Sequence, residues 1–112
     1  MNLGPSADIP FEDHNGFLDF LGRNEVAHSG YAQALAARGY EVSAPQPLGD
    51  PRETPDWLND HYQRHIDECS SLNIAVPDLS SVDLKQKDQY LDWMLLHAEL
   101  HDLQNLALGI TS

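Results

Sequence analysis

A ten-residue frame occurs twice in this chain at a fixed separation. Asp56-Trp57-Leu58-Asn59-Asp60-His61-Tyr62-Gln63-Arg64-His65 and Asp92-Trp93-Met94-Leu95-Leu96-His97-Ala98-Glu99-Leu100-His101 both read Asp-Trp-x-x-x-His-x-x-x-His, 36 residues apart. The match runs on without a gap to Leu72-Asn73-Ile74 and Leu108-Gly109-Ile110. A period of this length is that of one helix plus its connector. A weaker third copy precedes these two. Asp19-Phe20-Leu21 takes the Asp-Trp place, Asn24 the first histidine place and His28 the second, while the closing Gly39-Tyr40 falls about one helical turn late. The repeat predicts an all-α fold: a small helical bundle of two helix-plus-connector units of about 36 residues, with this third copy as a degenerate relative.

The local signals agree. Residues 1–10 hold Gly4, Pro5 and Pro10 without periodicity and read as an extended N-terminal arm. Residues 11–112 form a single helical domain with a Pro-rich linker at 40–54, where Pro45, Pro47 and Pro51 exclude a helix. Between 12 and 38 apolar residues recur at three and four. Gly22 and Gly30 each weaken a helix by about 1 kcal/mol, so one broken helix or two short ones with a joint near 22–24 both fit. Thr54 and Pro55 suit a helix start, and that helix is expected to reach Leu72 with Asn73 as its left-handed stop. Asp83 suits the cap of a turn over 84–87, Asp88 the cap of the third helix, and Gly109 its end. Helices 55–72 and 88–108 are expected to pack antiparallel against one or two N-terminal helices between 12 and 38, and Val76, Leu79, Val82 and Leu84 between the two long helices are apolar enough to lie on the body.

At about 100° per residue, Asp88, Asp92, Glu99 and Asp102 share the outer face of the third helix. His97 and His101 fall opposite, with Tyr90, Trp93, Met94, Gln104 and Leu108. His61 and His65 lie in the apolar arc of Trp57, Leu58, Tyr62, Ile66, Cys69 and Leu72, so both pairs face inward. A buried imidazole left without a partner costs on the order of 1–3 kcal/mol. Three roles compete for these rings. The first is a packed layer bonded to carbonyls, carboxylates and aromatic neighbours, which needs no cofactor. The second is a four-His zinc site formed by His61, His65, His97 and His101, since His at i and i+4 on facing helices can hold one tetrahedral ion. The third is an interface that loosens near pH 6. The repeated Trp and His pattern favours the packed layer.

Catalytic patterns are lacking. Cys69 follows His65 by one turn, but its apolar setting reads as a core thiol, and no phosphate loop or nucleophile motif is present. The chain is therefore read as non-catalytic. A net charge of −12 with only six Lys and Arg speaks against nucleic-acid and anionic-membrane partners; a basic protein surface or a cation is the more natural partner, and a solubilising role is the simpler account of the charge. No signal-peptide pattern or membrane-span stretch is visible, which suits an intracellular site. A single cysteine, Cys69, fits a reducing compartment. Tyr90, Leu91, Leu95, Leu96 and Leu103 exceed what one neighbouring helix covers, and mark a candidate contact surface for a protein partner.

The stretch from Asp56 through His65 to Leu72-Asn73-Ile74, then Pro77-Asp78-Leu79-Ser80-Ser81-Val82-Asp83-Leu84, then Tyr90 through His101 to Leu108-Gly109-Ile110, resembles small acidic proteins of tailed bacteriophages. The resemblance spans residues 54–111 and implies a virion component docking on a larger assembly such as a capsid or tail, found in the host cytoplasm and in the virion. It carries no site residue. On these grounds the expected function is a structural or interaction protein, with a metal-binding four-His domain as the alternative.

Overall fold

The computed structural model describes residues 9–40 and 55–110, the side chains of 55–57 excepted. The expected arm up to residue 8, most of the expected linker and the cap at Thr54 lie outside these residues. Three helices make up the fold: α1 (His14–Ala37), α2 (Pro55–Cys69) and α3 (Lys87–Leu108), with no strand among the described residues. The chain is an all-α bundle built on the internal repeat.

α1 starts where the Asp13 carboxylate accepts the Gly16 amide at 2.8 Å. It passes through Gly22 and Gly30 without a break. The glycine penalties are outweighed because Phe17, Phe20, Ala27, Tyr31 and Leu35 are all at most 1% exposed. Burying a large apolar side chain contributes about 1.5–3 kcal/mol. α2 ends at Cys69, earlier than the expected Leu72, in a turn in which the Leu72 amide donates to the Cys69 carbonyl. Asn73 takes the left-handed conformation at φ 57°, in the expected place. Asp83 accepts the Lys85 amide and closes the turn before α3. The cap position of α3 is Gln86, without a side-chain bond, and Asp88 lies in the first turn, where its charge complements the helix dipole. Gly39 and Gly109 end α1 and α3 at φ 88° and 70°, each followed by an amide that reaches back five residues, Tyr40 to Leu35 and Ile110 to Asn105.

The helices run parallel, not antiparallel. Moving up α1, Phe17 meets Tyr90, Phe20 meets Trp93, Tyr31 meets His101 and Arg38 meets the Ala107 carbonyl. Moving up α2, His61 meets His97, His65 meets His101 and Glu68 meets Gln104. Residue numbers rise together in both series, which only a parallel pair allows. The connector makes this possible. α2 is 15 residues long, about 22 Å at 1.5 Å per residue, and an extended chain gains about 3.3 Å per residue, so residues 70–86 can return along its whole length. That return is anchored: Leu79 and Leu84 are buried, Val76 and Val82 pack on the core, and the Trp93 indole donates to the Leu79 carbonyl at 3.0 Å.

Parallel packing brings equivalent positions of the repeat to one level. Phe20 and Trp93, equivalent positions in the repeat, meet at the lowest of these levels. Above them come Asn24, His61 and His97, then His28, His65 and His101, then Tyr31, Glu68 and Gln104. Leu35, Leu72 and Leu108 close the upper end in one apolar cluster. The polar levels are thus held between an aromatic floor and a leucine ceiling.

Double electron–electron resonance tests this arrangement in a Cys69→Ser background. Spin labels at exposed Leu18 and Leu91 are expected to lie closer together than labels at Leu18 and Leu106. An antiparallel pair reverses that order.

Candidate metal centre

Five histidines converge on the bundle axis. His28 from α1, His61 and His65 from α2, and His97 and His101 from α3 are all 0% exposed. One ring nitrogen from each lies within 4.8 Å of all the others. The four predicted histidines form a chain of Nε2 contacts: His65 to His61 at 2.9 Å, His61 to His97 at 2.9 Å, and His97 to His101 at 3.0 Å. His28 stands edge-on to His61, His65 and His101 with ring centroids 4.6–5.0 Å away.

The level above supplies outer partners in a cyclic order. Tyr31 of α1 meets His101 Nδ1 of α3 at 2.8 Å, Gln104 of α3 meets His65 Nδ1 of α2 at 2.6 Å, and Glu68 of α2 meets His28 Nδ1 of α1 at 2.7 Å. Each helix thus orients a histidine of another. These partners also set the tautomers. Gln104 donates its amide to Glu68 Oε1 at 2.9 Å, which leaves its oxygen to accept from His65 Nδ1. Tyr31 donates to the His101 carbonyl at 3.2 Å, which leaves its oxygen to accept from His101 Nδ1. The Glu68 carboxylate accepts from His28 Nδ1. A neutral imidazole carries one proton. With Nδ1 protonated, His28, His65 and His101 present bare Nε2 lone pairs inward. This outer-partner arrangement is the one that metal-ligating histidines adopt.

The inner contacts cannot all be hydrogen bonds. Three contacts along four nitrogens need three donated protons. Donor and acceptor must alternate along the chain, so only two of the four nitrogens can carry one. The partners at Tyr31 and Gln104 make this worse. They fix both ends of the chain as acceptors, so His61 and His97 must both donate outward and then face each other proton to proton at 2.9 Å. His28 Nε2 has no hydrogen-bond partner at all. A cation among these lone pairs removes the conflict.

Electrostatics keep the rings neutral. Burial, ahead of their mutual repulsion, holds His61, His97 and His101 well below the usual imidazole range. His28 and His65 are brought down to about 3, again first by burial. Burial pushes Glu68 up to about 7, against the pull of His65 and Gln104. A neutral imidazole is the form that binds a metal.

The expectation of a packed histidine layer with no cofactor is corrected by this geometry. The chain builds a buried five-histidine site able to hold a metal ion, which favours the zinc alternative over none. His61, His65, His97 and His101 all belong to it. His28 was absent from the predicted ligand set, although the weak third repeat places it at the second histidine position. Stacking is real too, since Trp93 lies 4.5 Å from His97 at 14°. Cys69 is a core thiol, pushed up to about 12 by burial. Of the candidate contact residues, Leu91, Leu95, Leu96 and Leu103 are exposed. Tyr90 is fully buried instead, its hydroxyl donating to the Ile9 carbonyl and its ring against Phe11 and Phe17. No helix among the described residues is long and apolar enough to cross a membrane.

No protein-family model matches the chain, and no curated protein or solved structure matches it either. None of these comparisons supports the bacteriophage resemblance.

Metal-free protein is expected to be acid-labile. Histidines depressed in the folded state bind fewer protons there than in the unfolded chain. Their contribution is complete above about pH 6.5 and is lost as pH falls toward about 3, at about 1 kcal/mol per pH unit for each ring. Glu68, raised in the folded state, acts in the opposite direction between about 7 and its ordinary range, one group against five. Thermal melts in chelator should show Tm falling steeply between pH 6.5 and 4. A flat profile would contradict the neutral buried cluster.

Proposed function

We propose that this protein is a metal-binding helical domain that holds one divalent transition-metal ion on its axis through His61, His65, His97, His101 and His28. The observation that carries this reading is the proton shortfall among the Nε2 contacts. Imidazole donors suit zinc, copper, nickel, cobalt and iron(II). They do not suit calcium or magnesium, which take oxygen. The burial of all five rings gives the ion a structural character, because a closed site makes metal binding part of folding. The reading is non-catalytic, in keeping with a thiol at Cys69 held far from ionisation.

Elemental analysis of the purified protein should find about one transition-metal ion per chain. Strong chelation should lower Tm, and re-addition of zinc should restore it. His61→Ala with His97→Ala should abolish binding. Gln104→Leu removes the partner that orients His65, and should weaken metal affinity about 10–100-fold, as loss of an outer-sphere bond does. A metal-free protein whose Tm ignores chelator would reject the proposal.

A docking role remains a second reading, supported by Leu91, Leu95, Leu103 and Leu106, which are 44–80% exposed on α3. Asp92, Glu99 and Asp102 lie on the same arc at about 100° per residue, so the complementary partner would be basic and apolar. A bacteriophage assembly as that partner rests on the resemblance over 54–111 alone. Leu95→Glu with Leu103→Glu should abolish such docking without changing metal content.

A further inference from the structure

The repeat places six residues, not five, around the axis at the two histidine levels. Asn24 is the sixth. It occupies the place of His61 and His97 in its own copy, and it lies one turn from Phe20 and one turn from His28 on α1. Both neighbours touch the cluster: Phe20 packs 5.5 Å from His97, and His28 packs 4.8 Å from His61. Asn24 is 0% exposed, and neither its Oδ1 nor its Nδ2 has a hydrogen-bond partner. A buried carboxamide with both ends unpaired costs several kcal/mol, a cost the fold has no packing reason to retain where apolar Ala27 lies nearby on the same helix.

The nitrogen spacing points the same way. Around a tetrahedral ion with metal–nitrogen bonds of about 2.05 Å, neighbouring donors stand about 3.3 Å apart. Around a six-coordinate ion with bonds of about 2.1 Å they stand about 3.0 Å apart. Along the chain from His65 through His61 and His97 to His101 the three Nε2 contacts measure 2.9, 2.9 and 3.0 Å, while His28 Nε2 and Asn24 Oδ1 make no such contact and would close in on the ion when it binds. Two triangles of three residues from three parallel helices, Asn24, His61 and His97 below and His28, His65 and His101 above, supply the donor count of a six-coordinate ion.

We propose that the site is six-coordinate, with five imidazoles and Asn24 Oδ1 as the sixth ligand, so that it selects an octahedral ion such as nickel(II), cobalt(II) or iron(II) over tetrahedral zinc. This rests on the metal-binding reading above. The oxygen of Asn24 closes the last position, and the ion has no open place for an exogenous ligand.

Cobalt(II) titration of the metal-free full chain tests this directly. The loaded protein should show the weak visible absorption of six-coordinate cobalt, and azide should leave it unchanged. Asn24→Ala should open one position, so that azide shifts the spectrum and cobalt affinity falls about tenfold or more. Asn24→His should keep the weak six-coordinate spectrum and bind cobalt at least as tightly as the parent, which guards against a folding failure of the alanine variant. Intense four-coordinate absorption in the parent would overturn the proposal while leaving metal binding intact. So would azide binding to the parent, or an Asn24→Ala protein indistinguishable from it. Failure to bind cobalt, nickel or zinc at all would overturn the metal-binding reading and this proposal with it.

Discussion

Too few protons for too many nitrogens is the constraint on which this structure turns. A fully buried nitrogen lone pair needs a proton from a neighbour or a cation, because an unpaired buried polar group is costly. His61, His65, His97 and His101 stand so close that hydrogen bonds cannot satisfy all of their contacts, and Tyr31, Gln104 and Glu68 commit the available protons to the outer side. Such a cluster is costly without an ion and is able to hold one. The aromatic floor of Phe20 and Trp93 and the apolar ceiling around Leu35 and Leu108 separate the cluster from bulk solvent at its two ends.

Parallel packing follows from the same demand. Antiparallel copies of one repeat would set the Trp level of one helix beside the Leu-Gly end of the next, and each histidine pair would face a different residue type. Parallel copies set like against like, so a motif with two histidines per helix becomes two rings around an axis. The arrangement costs long return connectors, and the burial of Leu79 and Leu84 offsets part of that cost. At one level the copies carry unlike groups that the site uses. Tyr31, Glu68 and Gln104 are equivalent positions carrying three different outer partners, and each serves a histidine on another helix.

Much of this was legible in the chain. Apolar spacing gave the three helices, and the wheel placed His61, His65, His97 and His101 inward because a helix has only one face free of charge. Left-handed stops at Asn73 and Gly109 were readable from residue type. The direction of the helices was not, since periodicity fixes which face is buried and says nothing about which way a neighbour runs. An antiparallel pair still allows a four-His site on facing helices, but it does not bring equivalent positions of the repeat to one level, and the repeated Trp and His pattern alone favours a packed layer. His28 and Asn24 were visible in the degenerate first copy, but a lone His at i+4 from an Asn carries little weight until the copies are superposed in space. Gly22 misled for a related reason, since local propensity is overridden where Phe17, Phe20 and Tyr31 are buried together.

The acidic surface acquires a role once the axis is considered. A chain with net charge −12 repels itself in the compact state, and an empty ring of neutral imidazoles does nothing to relieve that. A dication at the centre does, and it also favours the ionised form of Glu68, which burial otherwise holds near half-protonation at neutral pH. Glu68 in its ionised form accepts from both His28 and Gln104, and Gln104 in turn fixes His65. With an ion bound, the carboxylate and the outer bonds would support it in turn, and the fold and the occupied site would form a single cooperative state.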